Sequence, residues 1–105
     1  MKIYGLKNCD KCRAAAKALG ALEIIDLRTA PPSHDFILKV LERFGEEALN
    51  KRSTTWRALA ANDRIRPAFD LLREYPTLFK RPIIVTETGE IYCGWAKEVQ
   101  QAVLP

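Results

Sequence analysis

The chain has 105 residues, 48% hydrophobic and 29% charged, with 17 Lys and Arg against 13 Asp and Glu for a net charge of +4. That length fits one domain over residues 1–105, and the composition excludes global disorder. No apolar run approaches the ~20 residues that cross a bilayer, and no long apolar leader follows Met1. The expected setting is therefore cytoplasmic, with no membrane partner. The basic residues are scattered rather than clustered, so charge points to small anions more than to nucleic acid.

Residues 2–5 read as a short strand ended by Gly5. Residues 10–19 read as an alanine-rich helix stopped by Gly20. A second strand is expected over 23–26, parallel to the first across that helix. The Pro31-Pro32 turn follows, and Ser33 is placed to cap a helix over 34–43 with Phe36, Ile37, Val40, Leu41 and Phe44 on its apolar face. Gly45 ends this helix, and a short turn over 46–49 comes next. Thr54 is expected to cap a helix over 55–60, and a further helix is expected over 63–73, with Pro67 restricting its first turn. Strands over 83–87 and 90–93 form an antiparallel hairpin turning at Thr88-Gly89, and residues 96–103 make a last helix. The order is strand–helix–strand, a helical block, then strand–strand–helix.

Cys9-Asp10-Lys11-Cys12 stands where the first strand gives way to the first helix. A sulfur at a helix N-terminus meets unpaired N–H groups and the positive end of the helix dipole, which favour the thiolate. Lys7, Lys11 and Arg13 add positive charge, and Asp10 opposes it. The three-residue offset puts Cys12 one turn inward, where it can attack a mixed disulfide formed at Cys9. Two other readings exist. A zinc site needs about four ligands and only Cys93 and His34 remain, so no metal is expected; two ordinary buried cysteines stay open. Three cysteines in a reducing compartment argue for redox chemistry over a disulfide framework.

Lys80-Arg81-Pro82 precedes the strongest strand. Spacing alone favours a trans proline, since only about 5% of X–Pro bonds are cis.

Four segments in order, Tyr4-Gly5 with Asn8–Arg13, Thr29–Pro32, Arg52–Trp56 and Lys80–Val85, resemble the arsenate reductase-like (ArsC) family, which includes the Spx regulators. The likeness runs along nearly the whole chain and is nearest the YffB-like, reductase-related branch. It implies an α/β, thioredoxin-like fold with a four-stranded mixed sheet and an inserted helical block. It places the catalytic cysteine on Cys9, anion-binding arginines on Arg52 and Arg81, and a cis proline on Pro82. The implied activity is that of a thiol–disulfide oxidoreductase using Cys9 and Cys12, with no bound cofactor. Glutathione or thioredoxin would be the reductant, and a glutathione mixed disulfide or another small thiol or oxyanion the substrate.

The chain also departs from the arsenate reductases it resembles. Gly94 follows Cys93 where they carry a third arginine, Gly5-Leu6 replaces a His-Asn pair, and Cys12 is an added cysteine. Loss of a charge-assisted donor at a developing oxyanion costs ~10²–10³ in rate, which lowers arsenate as the main substrate. Arsenate reduction stays as one alternative. A Spx-like redox switch that binds RNA polymerase is another, and a pull-down from cell extract would separate it from the enzymes. Among the remaining residues, His34 reads as an exposed helix start, Cys93 as a small strand residue, Trp56 as packing for the helical block, and Trp95 as cover for the hairpin.

Overall fold

In the computed structural model, which describes residues 1–105, the elements run β1 (Lys2–Gly5), α1 (Asp10–Ala18), β2 (Ile24–Asp26), α2 (His34–Phe44), a 3₁₀ turn (Gly45–Ala48), α3 (Thr54–Ala58), α4 (Ala61–Arg64), α5 (Ala68–Glu74), a second 3₁₀ turn (Pro76–Leu78), β3 (Ile83–Val85), β4 (Ile91–Cys93) and α6 (Lys97–Val103). The internal contacts divide these into two compact units, Met1–Ala30 with Arg81–Pro105, and Pro31–Lys80. No helix is long and apolar enough to cross a membrane.

The first unit is built on a four-stranded mixed sheet in the order β2-β1-β3-β4. β1 pairs parallel with β2, Ile3 beside Ile24, and antiparallel with β3, Ile3 beside Ile84. The expected hairpin forms, with Ile83 opposite Cys93. Its ladder ends sooner than the apolar run suggests, because Thr86 leaves the strand: its N–H donates to the Glu90 carbonyl at 2.9 Å and its hydroxyl accepts from the Glu90 N–H at 3.0 Å. Gly89 turns the chain at φ +86°, where a side chain would be strained. A core of Ile3, Ala15, Ala16, Ile84 and Val103 joins the sheet to α1 and α6, and Trp95 packs against it. Alanine on the buried face of α1 lets that helix lie close to the strands.

The second unit is helical. Ser33 caps α2 as expected, its hydroxyl accepting from the Phe36 N–H at 3.1 Å, and Ile37 and Val40 are fully buried. A short antiparallel bridge between Leu49 and Phe79 ties the segment after the first 3₁₀ turn to the end of the unit, supported by Asn50 N–H to Leu78 O and Lys80 N–H to Ala48 O, each 2.7 Å. Two expectations fail here. The cap of α3 is Ser53, one residue before Thr54: the Ser53 hydroxyl accepts from the Trp56 N–H at 3.1 Å and donates to the Asn50 carbonyl at 2.7 Å. The helix expected over 63–73 is two helices, because Pro67 disfavours helical backbone at Arg66 and itself takes the extended conformation that starts α5.

Candidate active site

Cys9 is the N-cap of α1. Its backbone is extended (φ −95°, ψ 122°), its N–H closes a turn onto the Leu6 carbonyl at 3.1 Å, and its own carbonyl accepts the first helical bond, from the Arg13 N–H at 3.0 Å. The side chain is half-buried and reduced. The thiol makes no cap hydrogen bond of ordinary geometry. Burial raises its pKa. The Cys12 N–H, the Cys12 thiol, the Arg81 guanidinium and the Lys11 N–H outweigh that effect, so the pKa lies below the ordinary cysteine value. Cys9 is thus favoured as the thiolate, the form that attacks sulfur.

Cys12, one turn along α1, is fully buried. Burial pushes its thiol up to about 12, the neighbouring Cys9 sulfur pushes the same way, and the Leu6 N–H and Arg81 oppose the shift. The pair is therefore polarised: the more acidic sulfur at the helix mouth, with a less acidic thiol donating to it from beneath. This asymmetry separates the pair from two ordinary buried cysteines.

The cation that reaches both sulfurs is Arg81, not the three neighbours in sequence. Arg13 forms an ion pair with Asp10 one turn away, so those two charges satisfy each other. Arg81 is half-buried, and the Arg81–Pro82 peptide bond is cis, the form the resemblance implies. Pro82 is buried, and its carbonyl accepts from the Gly94 N–H at 2.8 Å. Cys9, Cys12, Arg81 and Pro82 thus belong to the same unit. Arg52 belongs to the other. It is exposed between Lys51 and the Ser53 cap, and its N–H donates to Asn50 Oδ1 at 3.1 Å.

The loop that carries Cys9 is held by a residue the sequence reading passed over. Asp26, at the end of β2, is 6% exposed. Its carboxylate accepts from the Lys7 N–H at 3.3 Å, the Arg28 N–H at 2.9 Å and the Arg28 guanidinium at 3.2 Å, while Arg28 also reaches Asn8 Oδ1 at 3.4 Å. The Arg28 side chain foremost, together with the N–H groups of Arg28 and Lys7, holds the Asp26 pKa down to about 2. An acid closing an apolar strand, with an arginine two residues on, is the signal that could have exposed it.

The other residues singled out in the sequence have structural places. His34 is exposed at the start of α2, its ring edge-on to Phe69 at 5.5 Å. Trp56 is half-buried in the helical unit, with the Lys51 ammonium 5.4 Å and the Arg64 guanidinium 5.7 Å from its ring centre. Cys93 is half-buried on β4.

The ArsC family model matches residues 4–103. An uncharacterized protein of Haemophilus influenzae is 36% identical, with the alignment covering 95% of each chain. Among solved structures, a possible arsenate reductase of Streptococcus mutans superposes with a TM-score of 0.74 at 28% identity, over 95% of this chain and 96% of its own. The YffB protein superposes at 0.84 with 22% identity, over 98% and 97%, a likeness of fold.

Proposed function

The chain belongs to the ArsC family, a membership that supports a thiol-dependent reductase, and we propose that it is a thiol–disulfide oxidoreductase working through Cys9 and Cys12 with glutathione as reductant. The observation that carries this reading is the placement of the pair, Cys9 half-buried at the N-cap of α1 and Cys12 fully buried one turn along the same helix.

In the first step the Cys9 thiolate attacks a glutathione mixed disulfide. A Cys9–glutathione disulfide forms, and the substrate sulfur leaves as a thiolate that takes a proton from water. Cys12 then gives up its proton and attacks Cys9 Sγ. The bond to glutathione breaks, glutathione leaves as its thiolate, and the Cys9–Cys12 disulfide holds the two electron equivalents of oxidation. Two further glutathione thiols reduce that disulfide and become glutathione disulfide. Arg81 favours the attacking anion and supplies guanidinium donors for a substrate carboxylate; Arg52, in the helical unit, is proposed as an anion donor in its own right. Pro82 fixes the backbone next to Arg81.

The test is turnover of the pure protein against a glutathione mixed disulfide and against arsenate in parallel, with glutathione as the only reductant. Turnover of the mixed disulfide with little arsenate reduction is expected. The reverse preference would move the substrate to the oxyanion, the activity that the Streptococcus mutans relative's description names.

A further inference from the structure

Gly5 is the last residue of β1, still paired in the sheet. It pairs with Asp26 on β2, and its carbonyl accepts from the Leu27 N–H at 2.9 Å. Its φ is not among the positive values found at Gly20, Gly45, Gly89 and Gly94, so the backbone does not demand glycine. Glycine in a paired strand position often marks the close approach of another group. The group here is the Cys12 side chain. A Cβ on Gly5 would collide with Cys12 Sγ and lie 3.3 Å from Cys12 Cβ; apart from Ile24 Cγ2 at 4.0 Å, nothing else lies within reach.

We propose that Gly5 is a positioning residue for disulfide closure: the space where its side chain would stand is the socket that holds the Cys12 sulfur beneath Cys9. The Leu6 N–H, next in the chain, faces the same sulfur, so the Gly5-Leu6 backbone provides both the space and a polar contact. Cys12 has a single χ angle and no exposed surface. A methyl group at position 5 leaves it two ways to yield. It can rotate to another rotamer and take the sulfur out of its place, or α1 can back away from β1. Rotation separates the sulfurs while the N-cap N–H groups that favour the Cys9 thiolate stay in place; retreat of α1 carries both cysteines away from the Leu6 N–H that faces the Cys12 sulfur.

The inference rests on the dithiol reading above and makes a claim that reading does not. Gly5→Ala should leave the first step largely intact and damage the second. Wild type, Gly5→Ala, Cys12→Ala and the double variant are treated with glutathione disulfide and quenched with acid, and mass spectrometry follows the mixed disulfide and the internal disulfide. Gly5→Ala should form the Cys9–glutathione adduct within about five-fold of the wild-type rate, the part lost with the Cys12 thiol's contact to Cys9, and close the internal disulfide about ten- to a hundred-fold more slowly, the scale expected for a reacting atom displaced by about an ångström. In the Cys12→Ala background the colliding sulfur is gone, so adding Gly5→Ala should leave adduct formation and thermal midpoint close to those of Cys12→Ala alone. That pair of variants also covers the case in which Gly5→Ala by itself folds poorly, because removing the sulfur should restore the fold.

Closure by Gly5→Ala at the wild-type rate would overturn the proposal, as would an equal loss of stability or of adduct formation from Gly5→Ala in both backgrounds. If the wild type forms no internal disulfide, the dithiol function falls first and the role of Gly5 falls with it. If the wild type closes its disulfide and Gly5→Ala closes it equally fast, only the role of Gly5 falls.

Discussion

The sheet unit and the helical unit are held by different kinds of information. In the helical unit the contacts that set the helix starts are short in sequence: Ser33 to Phe36, Ser53 to Trp56, Asn50 to Arg52. In the sheet unit the deciding contacts are long. Arg81 acts on Cys9, Asp26 binds the Lys7 N–H, and Gly5 makes room for Cys12. A local contact fixes one turn of backbone. A long-range one brings a charge or a void to an atom whose reactivity depends on it. Substitutions in the sheet unit should therefore change chemistry, whereas those in the helical unit should change stability alone, with Arg52 the one exception proposed.

The largest expected effect is at the sulfurs. Cys9→Ser should cost a thousand-fold or more in turnover, roughly the scale of losing a nucleophile. Cys12→Ser should still form the glutathione adduct and stop there. Because the Cys9 pKa is lowered, its alkylation by iodoacetamide should rise to half its plateau at a lower pH than that of an unperturbed cysteine. Labelling of Cys93 ahead of Cys9 at neutral pH would break the comparison at its root.

Arg81 comes next. Removing a charge-assisted contact made in the transition state costs about 1.5–3 kcal/mol, or roughly 10- to 150-fold in rate. Arg81→Ala should show that loss, and its Cys9 alkylation midpoint should move to higher pH, since a removed cation no longer favours the thiolate. Arg73→Ala, exposed in the last turn of α5, should show neither effect. Equal kinetics for the two variants would take Arg81 out of the site.

Asp26 sharpens the comparison through stability. Its pKa is lowered from 3.8 to about 2, so it contributes stability that is fully present above pH 3.8 and lost as pH falls towards 2. Asp26→Asn should destabilise the protein at pH 7 by about 1–2 kcal/mol, a figure reduced because Arg28 is partly exposed. It should also flatten the acid limb of the stability curve in that window. Urea titrations at pH 7, 4 and 2.5 measure both effects. A variant as stable as wild type at pH 7 would deny that the carboxylate ties down the nucleophile loop.

How much of this was legible in the sequence follows the same division. The strand–helix–strand order, the Ser33 cap, the hairpin and the place of Cys9 at a helix mouth all rest on residues a few positions apart, and pattern reading found them. The cation acting on Cys9 was sought in Lys7, Lys11 and Arg13 by proximity; Arg81 beside the sulfur was the weaker reading on spacing alone, and the resemblance reversed that. Asp26 escaped although Arg28, its foremost partner, stands two residues on, because what it ties down, the Lys7 N–H, is a backbone group that carries no residue-type signal. Gly5 ends β1 as read, and the sulfur that arrives beside it from α1 shows only in three dimensions. Where local reading failed, it failed narrowly: by one residue at the α3 cap, and at Pro67, where the restriction was seen but not carried through to a split helix.

The smallest expected effect tests that narrow failure. Ser53 and Thr54 are adjacent hydroxyl residues, and both residue types serve well as N-caps. The structure assigns the cap to Ser53, whose hydroxyl both accepts from the Trp56 N–H and donates to the Asn50 carbonyl, whereas Thr54 is the first residue of α3 and is exposed. Ser53→Ala should therefore cost about 1 kcal/mol, since it removes the cap and leaves a helix-start donor without its partner. Thr54→Ala should be neutral or stabilising by a few tenths of a kcal/mol, because alanine is the better helix former at an exposed position. Chemical denaturation of both variants measures the difference, and the Cys9 alkylation rate, read on the same samples, should equal that of wild type. The opposite ranking would return the cap to Thr54. The expected ranking with an altered alkylation rate would mean that local caps in the helical unit reach the chemistry of the sheet unit, and the contrast between the two would not hold.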